Sequence, residues 1–446
     1  MTVNDNIVVE IAISKVVYLS CECWIQMNIA VKEQRKVKEK IKIGIVGLGA
    51  RGEFLLKLIA EMEDIEVVLC DLISERVDSM KALYKEISGR NAEDEPDYQA
   101  ICARDDVDAV MMLGTWESHI EIAVAAMESG KYAAIEVGGC FDLQECYKLV
   151  ETYEKTKMPC MMLENCCYGR REMMALNLKE KGLFGEIVHC AGGYMHDCRK
   201  IMLEEVTPLR LLENAARNAE IYPTHELGPI AKVLGINRGN KFLSLVSMSS
   251  SGFGLREYCK KSTKAQGKLD NIKVNQGDIV NTTIKCINGE TISLTLDMTL
   301  PRPYYSRNFT VRGTKGMYSE ERKVLFFDSM DEDTENNEEE MFKQYDHPLW
   351  NEYIKNGIMD GHDGIDFLVL RAFFESVKRG TNTPIDAYDT ASWMAISVLS
   401  EQSIAMGSAP VPVPDFTKGK WINRESVCGG KFCLDKVCTD KNTSIC

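Results

Sequence analysis

The segment GLGARG, Gly47 to Gly52, is the first place in the chain where residue types and spacing point to chemistry. It follows an apolar run and opens an amphipathic one, with glycine at Gly47, Gly49 and Gly52. Such glycines permit a tight turn and a close approach of backbone to a pyrophosphate, which the unpaired N–H groups and dipole of a helix N-terminus attract. Taken alone, the pattern also fits an incidental glycine turn. Asp71 narrows the choice, because it ends the second apolar run about 20 residues on, where a carboxylate accepts from both ribose hydroxyls. The same carboxylate would repel a 2′-phosphate, which favours NAD over NADP.

Further candidates lie where later apolar runs end. LGTWESH (Leu113 to His119), IEVGG (Ile135 to Gly139) and LEN (Leu163 to Asn165) each close a predicted strand. In parallel sheets ligands bind outside the carboxyl ends of strands, which brings Trp116, His119, Glu136, Val137 and Asn165 into consideration. His119 fits a helix-capping or core role equally well. Pro223 in YPTH predicts a rigid turn that could aim Tyr222 and His225 together, or a structural turn around a hydrogen-bonded histidine. The glycine-flanked DGHDG, Asp360 to Gly364, places His362 on a mobile loop. Cys166 and Cys167 follow Asn165 with no base implied beside them, so burial is their expected role.

The elements that must position these residues follow from periodicity. IKIGIVG, IEVVLCD, DAVMML, YAAIEV and MPCMMLEN read as buried strands, with FLLKLIAEM and HIEIAVAAMESG as helices between them. Apolar strands separated by amphipathic helices predict a doubly wound parallel sheet. From about Gly182 the pattern changes to longer alternating runs such as EIVHCAGGYMHD and IVNTTIKCINGETISLTLDMTL, with Asn288-Gly289-Glu290 as a hairpin turn. This half predicts an α+β domain with an open-faced, mostly antiparallel sheet. Asp366 to Lys378 and Ala387 to Met406 read as helices, the second packing back near the first domain, and MDEDTENNEEEMF reads as a solvated loop. The expected division is an N-terminal extension over 1–40, a dinucleotide-binding domain over 41–164, a substrate-binding domain over 165–425 and a cysteine-containing tail over 426–446.

With 446 residues and a net charge of -14, the chain has the size of two domains and lacks the basic balance that nucleic acid or an anionic membrane surface demands. A neutral small molecule or glycan is the expected partner. The apolar stretch near the start is interrupted by Glu10, Lys15 and Glu22, so neither a membrane span nor an export signal is expected. The 17 cysteines fall mostly inside apolar runs, as Cys70, Cys160 and Cys190 do, which predicts a reducing, cytoplasmic setting. Cys428, Cys433, Cys438 and Cys446 are spaced too widely for paired zinc ligands and have no histidine near them, so no metal is expected.

In order, the motifs TWESH, IEVGG, LENCCYGRR, GLFGEIVHCAGGYMHD, YPTHELGP and LPRPY resemble the NAD-dependent α-N-acetylgalactosaminidases of the Gfo/Idh/MocA superfamily. The resemblance spans Ile41 to Trp421 and implies a Rossmann domain followed by an open-faced sheet domain. It also accounts for Val137, which stands where sugar dehydrogenases of that superfamily carry the lysine of Glu-Lys-Pro. The implied reaction has no net oxidation: NAD takes hydride from C3, the C2 proton becomes removable, the aglycone leaves C1, water adds, and hydride returns.

The same resemblance implies that NAD meets Ala50 and Arg51, Asp71, the run Trp116, Glu117, Ser118 and His119, then Glu136, Val137 and Asn165. It implies that the sugar meets Tyr194, Arg210, the run Tyr222, Pro223, Thr224 and His225, and Tyr304. His225 and Tyr304 become candidates for the C2 base, and His362 for the acid and base at C1. The chain departs from the family pattern at Asp360 and Asp363, where glycines are usual, and at Glu226, also usually glycine. Two carboxylates beside His362 would raise its pKa. By residue type alone, Arg210 also fits a surface ion pair, and the tyrosines fit core or rim positions. An ordinary NAD-dependent sugar dehydrogenase and a non-catalytic NAD- and sugar-sensing protein are the alternatives. An uncovered sheet face would favour a homodimer.

Overall fold

A computed structural model describes residues 37–204, 209–330, 334–358, 362–425 and 430–438. The apolar stretch near the start, Asp360, Cys428 and Cys446 lie outside the described residues. Continuous apolar runs form the first sheet: β1 Ile41–Val46, β2 Ile65–Cys70, β3 Glu93–Asp94, β4 Ala109–Met112, β5 Tyr132–Ile135 and β6 Cys160–Met162. All are parallel, in the order β3-β2-β1-β4-β5-β6. Ile43, Ile45, Val68, Leu69 and Met111 are wholly buried, as strands covered by helices on both faces must be. The order reverses between β1 and β4, which opens a crevice at their carboxyl ends.

The second sheet contains β7 Ile187–Met195, β8 Phe242–Ser249, β9 Ile279–Cys286, β10 Thr291–Asp297, β11 Thr310–Gly313, β12 Gly316–Ser319, β13 Val324–Phe327 and β14 Val411–Pro412. Its order is β13-β12-β11-β7-β10-β9-β8-β14, antiparallel throughout except between β7 and β10. Strict alternation in β9 sends Val280, Thr282, Ile284 and Cys286 inward and leaves Asn281, Thr283 and Lys285 exposed. One face is thus apolar and covered, chiefly by the helices Thr224–Val233 and Ala387–Ala405. The latter also packs on the helix Leu143–Thr156 of the first domain, as its sequence predicts.

The acidic run corrects one expectation in part. Residues 331–333 lie outside the described residues and 334–337 form neither helix nor strand, as a loop would, but Glu338–Tyr345 is a helix rather than a solvated loop. Glu338 is buried, accepts from Arg171 Nε at 2.8 Å and from the Tyr318 hydroxyl at 2.5 Å, while Phe342 enters the core. The charge run hid an amphipathic turn whose one inward carboxylate has its partners on distant strands and helices.

Candidate active site

The glycine turn is built as its spacing requires. Gly47 has φ +96°, and a β-carbon on it would lie 2.5 Å from the backbone nitrogen of Gly114 after β4. At Gly52 a β-carbon would lie 2.2 Å from the carbonyl oxygen of Gly47, so helix and turn pack backbone to backbone. Gly49, by contrast, has nothing within 4 Å of where its β-carbon would be, and no side chain caps the helix Ala50–Ala60 that it begins. The result is open space before a helix N-terminus with free N–H groups, which fits a dinucleotide pyrophosphate. Asp71 follows β2, accepting from the backbone of Leu48 at 2.6 Å and of Ile73 at 2.9 Å. Each of its oxygens keeps a lone pair for a ribose hydroxyl.

Trp116, Glu117, Ser118 and His119 form the first turn of the helix Trp116–Glu128 after β4. His119 points into the core, its Nε2 lies 3.4 Å from the Gly114 carbonyl, and burial pushes its pKa down to about 4. It is a neutral core histidine that braces the turn beside Gly47. Trp116 lies across Gly138, where a β-carbon would sit 2.6 Å from the indole. The small residues of EVGG therefore make room for a ring.

Glu136 begins a chain of charges. Its Oε1 accepts from Arg51 Nε at 2.6 Å, and its Oε2 accepts from the backbone of Val137. Arg51 Nη2 reaches Asp366 Oδ1 at 2.7 Å, and Asn165 Nδ2 donates to the same oxygen at 2.8 Å. Asp366 Oδ2 lies 2.5 Å from His362 Nδ1. That hydrogen bond raises the His362 pKa. The direction agrees with the sequence reading, but the carboxylate is a different one: Asp366, one helical turn on, holds the ring, whereas Asp360 lies outside the described residues.

A second group of side chains gathers at the carboxyl end of β7, in the middle of the second sheet. Tyr194 on β7 packs against Tyr222, with ring centroids 4.6 Å apart, and against His225 at 5.6 Å. Tyr222 and His225 meet edge to face at 4.9 Å, so the turn at Pro223 aims both rings into one space. Arg210 lies over both tyrosines and donates from Nη1 to the Tyr194 hydroxyl at 3.1 Å, which excludes the surface ion-pair reading. Burial pushes the Tyr194 phenol up to about 12. Trp116 stands 6.0 Å from Tyr222, joining this ring group to the crevice of the first sheet.

Behind His225, Nδ1 lies 2.7 Å from Oε1 of Glu164, a fully buried carboxylate at the end of β6. Burial alone would raise Glu164, yet the charge and hydrogen bond of His225 hold it below its ordinary value. With Nδ1 engaged, Nε2 of His225 is left to meet a ligand. Glu164, Cys166 and His225 also offer ligand atoms within 4.8 Å of one another. The histidine and carboxylate already hydrogen-bond, and burial pushes the Cys166 thiol far above its usual pKa, which suits a hydrogen-bonded group better than a metal centre. Glu226 points elsewhere, against Gly192 and toward Arg307 at 3.3 Å.

Four members of the site escaped the sequence reading. Glu164 and Asp366 carried readable signals: a carboxylate at a strand end, and one four residues beyond His362. His196 lies 3.1 Å from the Tyr194 hydroxyl, two residues along the same strand exit. Tyr305 lies 5.8 Å from the Tyr194 ring and 5.5 Å from His196. Its neighbour Tyr304 sits against Arg302 at 5.1 Å; the two tyrosines are 54% and 48% exposed, so contact with Tyr194 rather than burial separates them. Nothing in the pair Tyr304-Tyr305 tells which ring meets Tyr194; the path of the loop does.

Residues 41–164 match the oxidoreductase family with an NAD-binding Rossmann fold, and residues 168–423 match the C-terminal domain of glycosyl hydrolase 109. A glycosyl hydrolase family 109 protein of Solibacter usitatus is 36% identical over 400 residues, covering 87% of this chain and 90% of the relative. The alpha-N-acetylgalactosaminidase of Tannerella forsythia is 34% identical over 415 residues, covering 86% and 88%. Among solved structures, a levoglucosan dehydrogenase in complex with NADH and L-sorbose aligns with a TM-score of 0.64 at 19% identity, covering 85% of this chain and all of that one, a likeness of fold. Sequence, fold and the two abutting residue groups thus agree: the chain belongs to the glycosyl hydrolase 109 family, a glycoside hydrolase built on an NAD-binding Rossmann domain.

Proposed function

We propose that this enzyme releases a terminal N-acetylgalactosamine-like sugar by transient oxidation at C3, elimination across C1 and C2, addition of water and re-reduction. The observation that carries this reading is the continuity from Trp116 through Tyr222 and Tyr194 to His225, which sets a ring-lined, proton-transferring wall against the dinucleotide crevice. The sugar identity is supported by the alpha-N-acetylgalactosaminidases of Tannerella forsythia and Shewanella oneidensis, 34% and 35% identical. When bound, NAD supplies a reversible hydride acceptor.

The protein's own residues supply the rest. Gly47, Gly49, Ala50, Arg51 and Gly52 form the pyrophosphate turn, Asp71 takes the ribose, and Trp116, Glu117, Ser118, Glu136, Val137 and Asn165 line the nicotinamide side, with His119 behind them in the core. Tyr194, Arg210 and the run Tyr222 to His225 hold the sugar. His225, with Nδ1 held by Glu164, accepts a proton through Nε2, which replaces the lysine absent at Val137. The tyrosine of the 304–305 pair that faces Tyr194 is the second proton-transfer group, and the geometry favours Tyr305 over Tyr304. His362, whose protonated form the bond to Asp366 favours, is the acid toward the leaving oxygen.

The buried free thiols of Cys70, Cys160 and Cys190 support a cytoplasmic setting. Exposed Val188, Leu243 and Met248 on β7 and β8 support a homodimer through the open sheet face. Among the described residues no helix is long and apolar enough to cross a membrane.

Turnover of an aryl α-N-acetylgalactosaminide in deuterated water tests the reaction. The released sugar should carry deuterium at C2 and retain its hydrogen at C3, both read by NMR. Undeuterated C2 would overturn the route, since a hydrolase using two carboxylates never breaks that bond.

A further inference from the structure

His362 sits on a strained piece of backbone. His362, Asp363 and Gly364 have φ of 44°, 59° and 90°, and the first two carry β-carbons that disfavour this region. Such a segment keeps its shape only where its surroundings hold it, and the holder here is Asp366. This wholly buried carboxylate opens the helix Ile365–Arg379. It takes His362 Nδ1 at 2.5 Å, Arg51 Nη1 and Nη2 at 3.2 and 2.7 Å, and Asn165 Nδ2 at 2.8 Å. Its donors come from three separate places: the dinucleotide turn, the end of β6, and the loop before its own helix.

We propose that Asp366 is a positioning residue that couples the dinucleotide turn to the histidine loop, so that cofactor binding and the placement of His362 stabilise each other. Arg51 belongs to the turn whose open space receives the pyrophosphate, and its guanidinium is shared between Glu136 and Asp366. Fixing that turn fixes Arg51, Arg51 fixes the carboxylate, and the carboxylate fixes Nδ1 of His362, leaving Nε2 as the nitrogen that meets a ligand. Linkage is reciprocal, so loosening the loop must also loosen the cofactor. The charges around His362 are Asp366 and Glu136, which favour its protonation, Arg51, which opposes it, and the adjoining Asp363; the Phe54 ring packs on it at 5.6 Å without charge. The importance of this placement for catalysis rests on the reading of His362 as the acid; the coupling itself does not.

The test uses full-length protein with 13C-labelled histidine rings. The chain has 6 histidines, and the His362 signal is assigned from the spectrum of His362→Ala. In the unaltered protein, NAD should shift or sharpen that signal. In Asp366→Asn the titration midpoint of His362 should fall, the response to NAD should vanish, and NAD should bind about tenfold more weakly, as expected when a charge-assisted hydrogen bond is lost. Asp366→Glu should restore part of the midpoint, a rescue that a merely structural staple would not provide. If Asp366→Asn does not fold, Arg51→Gln tests the same link: the His362 signal should lose its response to NAD. An unchanged midpoint in Asp366→Asn, or a response to NAD that survives in either variant, overturns the coupling. None of these readings requires sugar release, so a protein that shows them without C2 deuteration keeps the coupling and loses the proposed reaction.

Discussion

His119, in the core beneath the dinucleotide turn, and His225, in the ring group beside it, have opposite surroundings. His119 follows β4, is wholly buried, meets the Gly114 carbonyl through Nε2, and is kept neutral by burial. His225 opens the helix Thr224–Val233, meets the buried carboxylate of Glu164 and shares its space with two tyrosines. The first is structural support for a turn made of backbone; the second belongs to a wall made of side chains. The contrast runs through the molecule: the dinucleotide side works through N–H groups and glycines at fixed spacing, while the sugar side works through rings and charges gathered from distant segments.

The largest effect that could sharpen this contrast is His225→Ala. Loss of a proton-transfer group should lower kcat by about 100-fold to 10,000-fold, with NAD affinity unchanged in a fluorescence titration. A parallel loss of NAD binding would erase the distinction between the two sides.

Acid should act on the structural histidine. The folded-state pKa of His119 lies near 4, below the ordinary 6.5, so the unfolded chain binds the proton more readily. Its contribution to stability is present above pH 6.5 and is lost as pH falls toward 4, reaching a cost on the order of 3 kcal/mol. His347, buried and likewise pushed down to about 4, adds to the same slope. Denaturant titrations across this window should show the fall, and His119→Gln should flatten it; an equal slope in that variant would count against the burial argument.

A smaller change is expected from Asp71→Arg, which removes the ribose acceptors and should weaken NAD by roughly tenfold to a hundredfold, measured by calorimetry. Unaltered affinity would mean that Asp71 merely braces Leu48 and Ile73.

The finest distinction lies between adjacent tyrosines. Tyr305→Phe should reduce kcat about tenfold, the value of one hydroxyl bond to a reacting group, whereas Tyr304→Phe should change it little. The reverse ranking in steady-state rates would show that the loop presents the other ring to the sugar.

Much of the architecture was legible from residue order. Uninterrupted apolar runs in β1, β2 and β4 mean strands covered on both faces, and alternation in β9 means one covered face, because these patterns report burial directly. The glycine turn was legible for the same reason: φ +96° at Gly47 and the close contacts at Gly52 are demands that only glycine meets, so they appear as letters at fixed intervals. The acidic helix Glu338–Tyr345 was not legible, since its inward carboxylate depends on Arg171 and Tyr318 far away in the chain.

By itself, then, the sequence determined the two sheets, the dinucleotide turn with Asp71, and the motif order that places the chain in its family, all of which are local periodicities or spacings. Only the tertiary structure decided which carboxylate serves His225, which arginine joins Asp366, and which tyrosine meets Tyr194. Glu164 meets His225 across 61 residues, and Asp366 meets Arg51 across 315. Pairings of that kind follow from how the helices pack on the two sheets, and no spacing along the chain encodes them.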